Sequence, residues 1–349
     1  MKKVISLLLC AVMLMSAAAS LCSCGDRSPV VLSYKGFRIT ENQFIYELAM
    51  EKTAYLTNNK LNEDKESVWT AMSEGGITVD SACMNGLLRS EILKLYFAAY
   101  AEEKGYGLTQ QEEKLIDDSM AEYVGNFVDR QSFDFYMSNF SVGYDQIRDL
   151  MRLQYLSQKG QSLLFGKGQS LEISDDDALK YFNDNYATVL HVYLNNVNKT
   201  YPNQKTVPLT QEEKESKNAQ IARLEKELTA ENLPSYLKES DDFFRKEGAK
   251  AVTVQKGGQA KAYDSALFGA TVGQVVKAEC ENGVYFILRQ PLDASLYTED
   301  EKKKILTLLT EQKLTEIYTA AIKDAAMDSQ TLNRYSFAKA KYFTSFEPN

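Results

Sequence analysis

Histidine is almost missing from this chain of 349 residues, which holds one, His191. Cysteine is scarce as well: of five residues, Cys10, Cys22 and Cys24 crowd the N-terminus. Only Cys83 and Cys280 are left for a folded part, so no disulfide framework holds it together. One bridge between them and two buried thiols are both open. With one imidazole and two thiols a zinc site is excluded, and no metal or cofactor is expected. No basic stripe occurs. Acidic residues outnumber basic ones 48 to 40 and the net charge is −8, which excludes nucleic acid as a partner and polybasic attachment to a membrane. Beyond the N-terminus no apolar run approaches the ~20 residues that a spanning helix needs.

What is present begins with that N-terminus. Met1-Lys2-Lys3 is a short basic start, followed by an apolar run from Val4 to Ala19, the pattern of a secretory signal rather than a span. Leu21-Cys22-Ser23-Cys24 resembles the bacterial lipobox, with Leu at −3, small residues at −2 and −1, and Cys24 at +1. Cys22 does not fit, because it would place bulky Leu21 at −1. The expectation is a signal peptide over 1–23, lipid on Cys24, a tether over 24–29, and an extracytoplasmic chain anchored to the cell membrane. Each buried methylene of such a lipid contributes ~0.8 kcal/mol to attachment.

Hydrophobic residues make up 44% of the chain, enough for real cores, and its length suggests more than one domain. Val30–Phe37 reads as a strand and turn with Lys35-Gly36 at the bend, and Thr40 as the cap of a helix carrying Phe44, Ile45 and Leu48 at helical spacing. Further helical patterns cover about 81–104, 109–127, 130–138 and 144–165. A Gly/Ser/Lys-rich connector follows Phe165. Then come a short acidic helix from Ser174 and a β-branched, aromatic strand from Val189 to Leu194. A polar loop, a charged helix from Thr210 to Leu228 with a solvated face, a shorter helix from Leu233 to Phe244 and a closing hairpin lead to the last long helix. Its apolar residues Ile305, Leu308, Leu309, Ile317, Tyr318 and Ile322 are expected to pack on the N-terminal helices. The fold class is thus α+β: a helical domain over 30–170 completed by 293–349, with a small α+β domain inserted over 171–292.

The inserted segment resembles the parvulin family of peptidyl-prolyl isomerases, and the whole arrangement resembles the PrsA/SurA group of exported foldases and chaperones. Strand Leu190-His191-Val192-Tyr193-Leu194 is similar to the family's opening R-H-I-L strand, and Ser240-Asp241-Asp242 to its S-x-D/C element. Tyr263-Asp264-Ser265-Ala266-Leu267-Phe268 is similar to F-x-x-A-x-F, and Val272-Gly273-Gln274-Val275 to x-G-x-V/I. Asn282 to Ile287 is similar to the closing G-Y-H-I-I strand, and Val31 to Leu48 to the strand-turn-helix entry. The resemblance implies catalytic roles for His191, Asp242 and Tyr285, and substrate binding by Gln259, Tyr263 and Phe268. It implies unfolded or newly exported polypeptides as partners, and a second copy of the chain as a homodimer. Three positions depart from the family: its second core histidine falls on Tyr285, its pocket methionine on Gln259 and its pocket phenylalanine on Tyr263. The glycine pair after S-x-D is reduced to Gly248.

Turning an Xaa-Pro bond needs no nucleophile, acid or metal. The barrier is amide resonance, ~18–20 kcal/mol, and uncatalysed exchange takes tens of seconds. A catalyst has to bind the twisted amide better than the planar one, through an apolar seat for the ring and a few hydrogen-bonding groups. Each candidate also has a plain structural reading. His191 fits a hydrogen-bonded core residue, Asp242 a helix-ending carboxylate, Tyr263, Phe268 and Tyr285 packing aromatics, and Gln259 a solvated turn. Two functions therefore stand side by side: a foldase with parvulin-type isomerase activity, and a chaperone or scaffold that keeps the module without turnover. A solute-binding lipoprotein fits poorly, since alternating strands and helices are absent from the first half.

Overall fold

A computed structural model describes residues 28–61, 64–73, 75–200, 206–242, 244 and 249–343. The expected signal segment over 1–23, Cys24 and Gly248 lie outside the described residues. The chain divides into two units: one from residues up to Glu172 together with Glu311 onward, the other from Ile173 to Thr310. The fold is α+β, with a largely helical first unit built from both ends of the chain.

Unit 1 opens with a hairpin, β1 (Val30–Tyr34) and β2 (Phe37–Thr40), joined by Lys35 and Gly36 with φ of 44° and 90°. Both residues of this tight turn are left-handed, a conformation that suits Gly36. Thr40 closes the hairpin and starts α1 (Glu41–Asn58) through a capping box with Gln43. The short α2 (Glu66–Thr70), the long α3 (Val79–Glu103), α4 (Gln110–Gly125), α5 (Arg130–Met137) and α6 (Tyr144–Phe165) follow. Thr109 caps α4 in a box with Glu112, as the Thr-x-x-Glu spacing predicts.

The C-terminal end completes this unit. Strand β9 (Ala326–Met327) pairs with β1 through Leu32↔Met327 and Ser33↔Ala326. The following segment lies along α1: Tyr335 donates to Glu41 at 2.6 Å, and Lys52 donates to the Ala340 carbonyl at 2.8 Å. Lys52 is wholly buried, paired with Asp64 at 2.6 Å and set against the ring of Trp69. A lysine buried this way is retained by its partners, since losing one would strand the charge.

Two features of unit 1 are sharp enough to test. Helices α3 and α6 approach so closely at Gly160 that a Cβ there would lie 1.9 Å from the Phe97 carbonyl oxygen. Glycine is required for that approach. Nearby on α3, Glu91 is 1% exposed and shares Lys94 with Glu47 (2.7 and 2.9 Å), and its Oε2 has no hydrogen-bond partner among the described residues. Burial pushes its carboxyl up to about 7, with Glu47 and Glu51 adding to the rise and Lys94 opposing it.

Unit 2 contains α7 (Asp175–Asn185), β3 (Tyr186–Leu194), the small ladder β4 (Asn198–Thr200) with β5 (Thr206–Pro208), α8 (Gln211–Glu227), and α9 (Leu233–Tyr236). It continues with β6 (Val252–Gln255), α10 (Lys261–Gly269), β7 (Val275–Cys280) and β8 (Gly283–Gln290). The strands form one antiparallel sheet in the order β6-β3-β8-β7. Period-two alternation sends Leu190, Val192 and Leu194 of β3, with Val284, Phe286 and Leu288 of β8, to a face covered by Ile221 and Leu224 of α8 and by Leu233. The other face carries Val189 and Ile287 beneath Tyr263 and Leu267 of α10. Each such side chain contributes ~1.5–3 kcal/mol on full burial.

The shorter helix expected from Leu233 to Phe244 stops early. After α9 one turn of 3-10 helix covers Leu237–Glu239, and Ser240 is extended. The apolar stripe of the last long helix, α11 (Glu299–Ala321), also divides: Ile305 and Leu309 pack with Ala178 and Phe182, while Ile317 and Tyr318 pack with Leu93, Phe97 and Leu164. Cys83 and Cys280 are free thiols, both half-buried.

Trp69 is the only tryptophan and lies in the core of unit 1, so its fluorescence reports that unit's unfolding. Gly160→Ala is expected to lower its denaturation midpoint by an amount equivalent to ~1–3 kcal/mol, the range for overpacking. Wild-type stability in that readout would contradict the close approach. The Glu91 carboxyl has a folded pKa above its unfolded one, so its contribution is greatest in acid and is lost as pH rises through about 7. Wild-type unit 1 is therefore expected to lose stability between about pH 5 and pH 8 relative to Glu91→Gln, which mimics the protonated state. Parallel pH curves for the two proteins would refute this.

Candidate functional site

The site grows from a change of partner along β3. Strand β6 pairs only with Tyr186–Val189, through Gln255–Val252. Further along the same edge of β3 the partner becomes the segment after α9. The Tyr193 amide donates to Ser240 Oγ at 2.8 Å, the Asp241 amide donates to the Tyr193 carbonyl at 2.7 Å, and the Asn195 amide donates to Asp241 Oδ2 at 3.0 Å. Lys217 of α8 pairs with the same Asp241 oxygen at 2.6 Å. His191 lies between the two stretches, on the face that Tyr263 covers.

Its ring is held on both sides. Nε2 is 2.7 Å from Asp242 Oδ2, and Nδ1 is 3.1 Å from the Tyr263 hydroxyl. Asp242 Oδ1 in turn accepts from Ser240 Oγ at 2.6 Å and from the Phe244 amide at 3.0 Å. With Asp242 ionised and the imidazole neutral, Nε2 donates to the carboxylate and Nδ1 accepts from the phenol. Burial pushes Asp242 up, but the hydrogen bonds from His191, Ser240 and the Phe244 amide together hold it below the usual carboxylate range. Burial, with Tyr285 and Asp242 nearby, pushes the Tyr263 phenol well up, so it stays protonated.

Aromatic rings close around the imidazole. Phe244, Tyr285 and Tyr263 have centroids 4.4, 5.2 and 5.8 Å from it, each in an edge arrangement. Tyr193 and Tyr285 face each other across β3 and β8 and stack at 4.4 Å. Tyr193 donates from its hydroxyl to the Asn282 carbonyl at 3.1 Å. The Tyr285 hydroxyl makes no hydrogen bond among the described residues. Burial raises its pKa, with Asp242 adding to the rise, so it is a protonated donor with no acceptor yet.

Of the residues expected from sequence, the structure therefore brings His191, Asp242, Tyr263 and Tyr285 into one cluster. Gln259 and Phe268 line a hollow of about 670 Å³ with Lys256, Lys261 and Asp264, and Phe268 also packs against the core that holds Tyr263 and Tyr285. There Phe268 is flanked by Lys256 and Arg289. Phe244, Ser240 and Tyr193 join the cluster without having been assigned site roles. Phe244 was hidden because its stretch reads as helix; Tyr193 was legible from alternation, two residues on from His191.

The arrangement offers polar groups and rings but no activated nucleophile. The Ser240 hydroxyl is turned to a carboxylate rather than to the imidazole, and burial pushes the Cys280 thiol up, away from thiolate. Such a site can hold an amide and polarise it without making a bond.

No family model and no curated protein matches the chain. Among solved structures it is similar to the peptidylprolyl isomerase PrsA of Bacillus cereus, at 14% identity over 77% of this chain and 96% of that one, with a TM-score of 0.34. It is also similar to the foldase protein PrsA of Streptococcus pneumoniae, at 16% identity over 87% and 97%, TM-score 0.27. A SurA-like chaperone structure from Campylobacter jejuni follows at 10% identity over 86% and 99%, TM-score 0.24. These neighbours are of the PrsA/SurA kind that the sequence resembles. At such identities and TM-scores the likeness carries no argument about activity.

The depressed Asp242 carboxyl yields a signed prediction. Its contribution is present above the unfolded value of ~3.9 and is lost as pH falls through the lower folded one. Asp242→Asn is expected to weaken hydrogen-exchange protection of the β3 amides near neutral pH, with the gap to wild type closing in acid. A gap that widens in acid would invert the assignment.

Proposed function

We propose that this chain is an extracytoplasmic foldase, held at a membrane surface by lipid on Cys24, that assists newly exported polypeptides and turns Xaa-Pro bonds in unit 2. The observation that carries the reading is the chain Tyr263–His191–Asp242–Ser240, enclosed by rings and placed beside the open Tyr285 hydroxyl. Twisting the amide moves its lone pair onto nitrogen and changes what its carbonyl and nitrogen accept. A donor such as Tyr285 that binds the twisted form ~1 kcal/mol better than the planar form supplies about fivefold in rate. Several such contacts, with the rings seating the pyrrolidine, supply the rest through differential binding. His191 and Asp242 orient Tyr263 and the imidazole; neither has to gain or lose a proton during the step.

Export and anchoring rest on the N-terminal pattern. Among the described residues no helix is long and apolar enough to cross a membrane.

One observation favours the second reading, a chaperone without turnover: both His191 nitrogens are already engaged. A protease-coupled assay on Xaa-Pro peptides separates the two. His191→Ala is expected to cut the isomerase rate about tenfold or more, the equivalent of ~1.4 kcal/mol, while suppression of client aggregation stays near wild type. No rate above buffer from folded wild-type protein would leave the chaperone reading standing.

A further inference from the structure

Ser240 is 1% exposed, and its single hydroxyl does two things at once. It accepts the Tyr193 amide of β3 at 2.8 Å and donates its proton to Asp242 Oδ1 at 2.6 Å, the Tyr193 carbonyl lying farther from the same hydroxyl at 3.4 Å. The first bond fixes where Ser240 stands relative to the strand that carries His191. The second fixes which way the Asp242 carboxylate turns, because the Phe244 amide reaches the same oxygen at 3.0 Å and Oδ2 is left for His191 at 2.7 Å. Two donors on one oxygen and the imidazole on the other define the carboxylate plane.

We propose that Ser240 is a positioning residue for the isomerase site, acting on His191 through Asp242 by dividing the carboxylate's two oxygens. The proposal rests on the isomerase reading for its effect on rate, and on the hydrogen bonds alone for its effect on Asp242. A mere cap for the sheet edge would need the Tyr193 contact and not the Asp242 contact. Ser240 makes both, and its proton goes to the carboxylate. Without that proton Asp242 loses one of the hydrogen bonds that favour its charged form.

The test is made on the full chain with 13C-labelled aspartate, the Asp242 side-chain carbonyl being assigned by its loss in Asp242→Asn. In Ser240→Ala the titration midpoint of Asp242 is expected to rise by about one pH unit, and kcat/KM for an Xaa-Pro peptide to fall about tenfold, the size of a lost hydrogen bond to a charged group. Ser240→Cys keeps the side-chain volume and a weak donor, and is expected to fall between the two in both measurements. It also carries the test if the alanine variant, with its Tyr193 amide unpartnered, fails to fold. A midpoint unmoved in the folded variants overturns the proposal. A raised midpoint with an unchanged rate overturns it as well, because Asp242 would then be tuned without consequence for the reaction. If wild type shows no isomerase rate at all, the functional reading fails, and the midpoint still decides whether Ser240 governs the Asp242–His191 pair.

Discussion

Asp242 has two oxygens and at least three donors, and the way they are divided organises the inserted unit. Oδ1 is held from within its own segment by Ser240 and the Phe244 amide, and Oδ2 is turned across to His191 on the central strand. The division is possible because β6 is short. Had it paired along all of β3, the edge that receives Ser240 and Asp241 would have been filled by backbone, and no carboxylate would reach the imidazole. Asp241, the neighbour, is committed to Asn195 and Lys217 on the far side, so the two adjacent carboxylates point to different tasks. A strand edge has thus become a mount for side chains, and the satisfied backbone there keeps the mount rigid.

The two units treat buried polarity differently. In unit 1 the buried charges are architectural. Lys52 joins α1 to the C-terminal segment through Ala340, and Glu91 and Lys94 lie between α3 and α1 with one carboxylate oxygen left over. In unit 2 Ser240, Asp242 and Tyr263 converge on the His191 ring beside the Tyr285 hydroxyl, which makes no hydrogen bond among the described residues, while Asp264 Oδ1 is left over elsewhere in the unit. Satisfied buried networks fix geometry, while an unmet donor beside them is where a ligand gains most. The contrast is why unit 2, rather than the carboxylate cluster of unit 1, is read as the site.

Much of this was legible in the sequence for identifiable reasons. Capping pairs such as Thr109 with Glu112 and Thr210 with Glu213 mark helix starts because both partners lie within one turn. The β-branched and aromatic content of 189–194 marks a strand, and the strand's period of two puts His191 and Tyr193 on the same side. What failed depended on partners distant in the chain. Leu233 to Phe244 carries enough apolar residues for a helix, yet Ser240 is drawn into extended form beside the Tyr193 amide some fifty residues earlier, and Phe244 arrives beside the imidazole. The two-residue strand β9 has no pattern of its own and exists only because β1 offers an edge. Gln259 was placed by motif position alone. Gly257, donating to Asp264, turns that stretch toward a separate hollow.

The replacement of an expected histidine by Tyr285 bears on mechanism more than on fold. Tyr285 keeps the cross-strand stack with Tyr193 and the edge contact with His191, so packing is preserved. An imidazole at that place would bring a titratable group into contact with His191, and the protonation of each would depend on the other. A phenol whose pKa is raised by burial donates over the whole physiological range and titrates with neither neighbour. Tyr263, raised for the same reason, fixes Nδ1 in the same way. The pair of phenols therefore stays protonated around the imidazole, and Asp242, held low, stays ionised near neutrality. On the proposed reading such a site acts through fixed dipoles, which suits a reaction whose transition state differs from its ground state in the direction of an amide's lone pair and in no covalent bond.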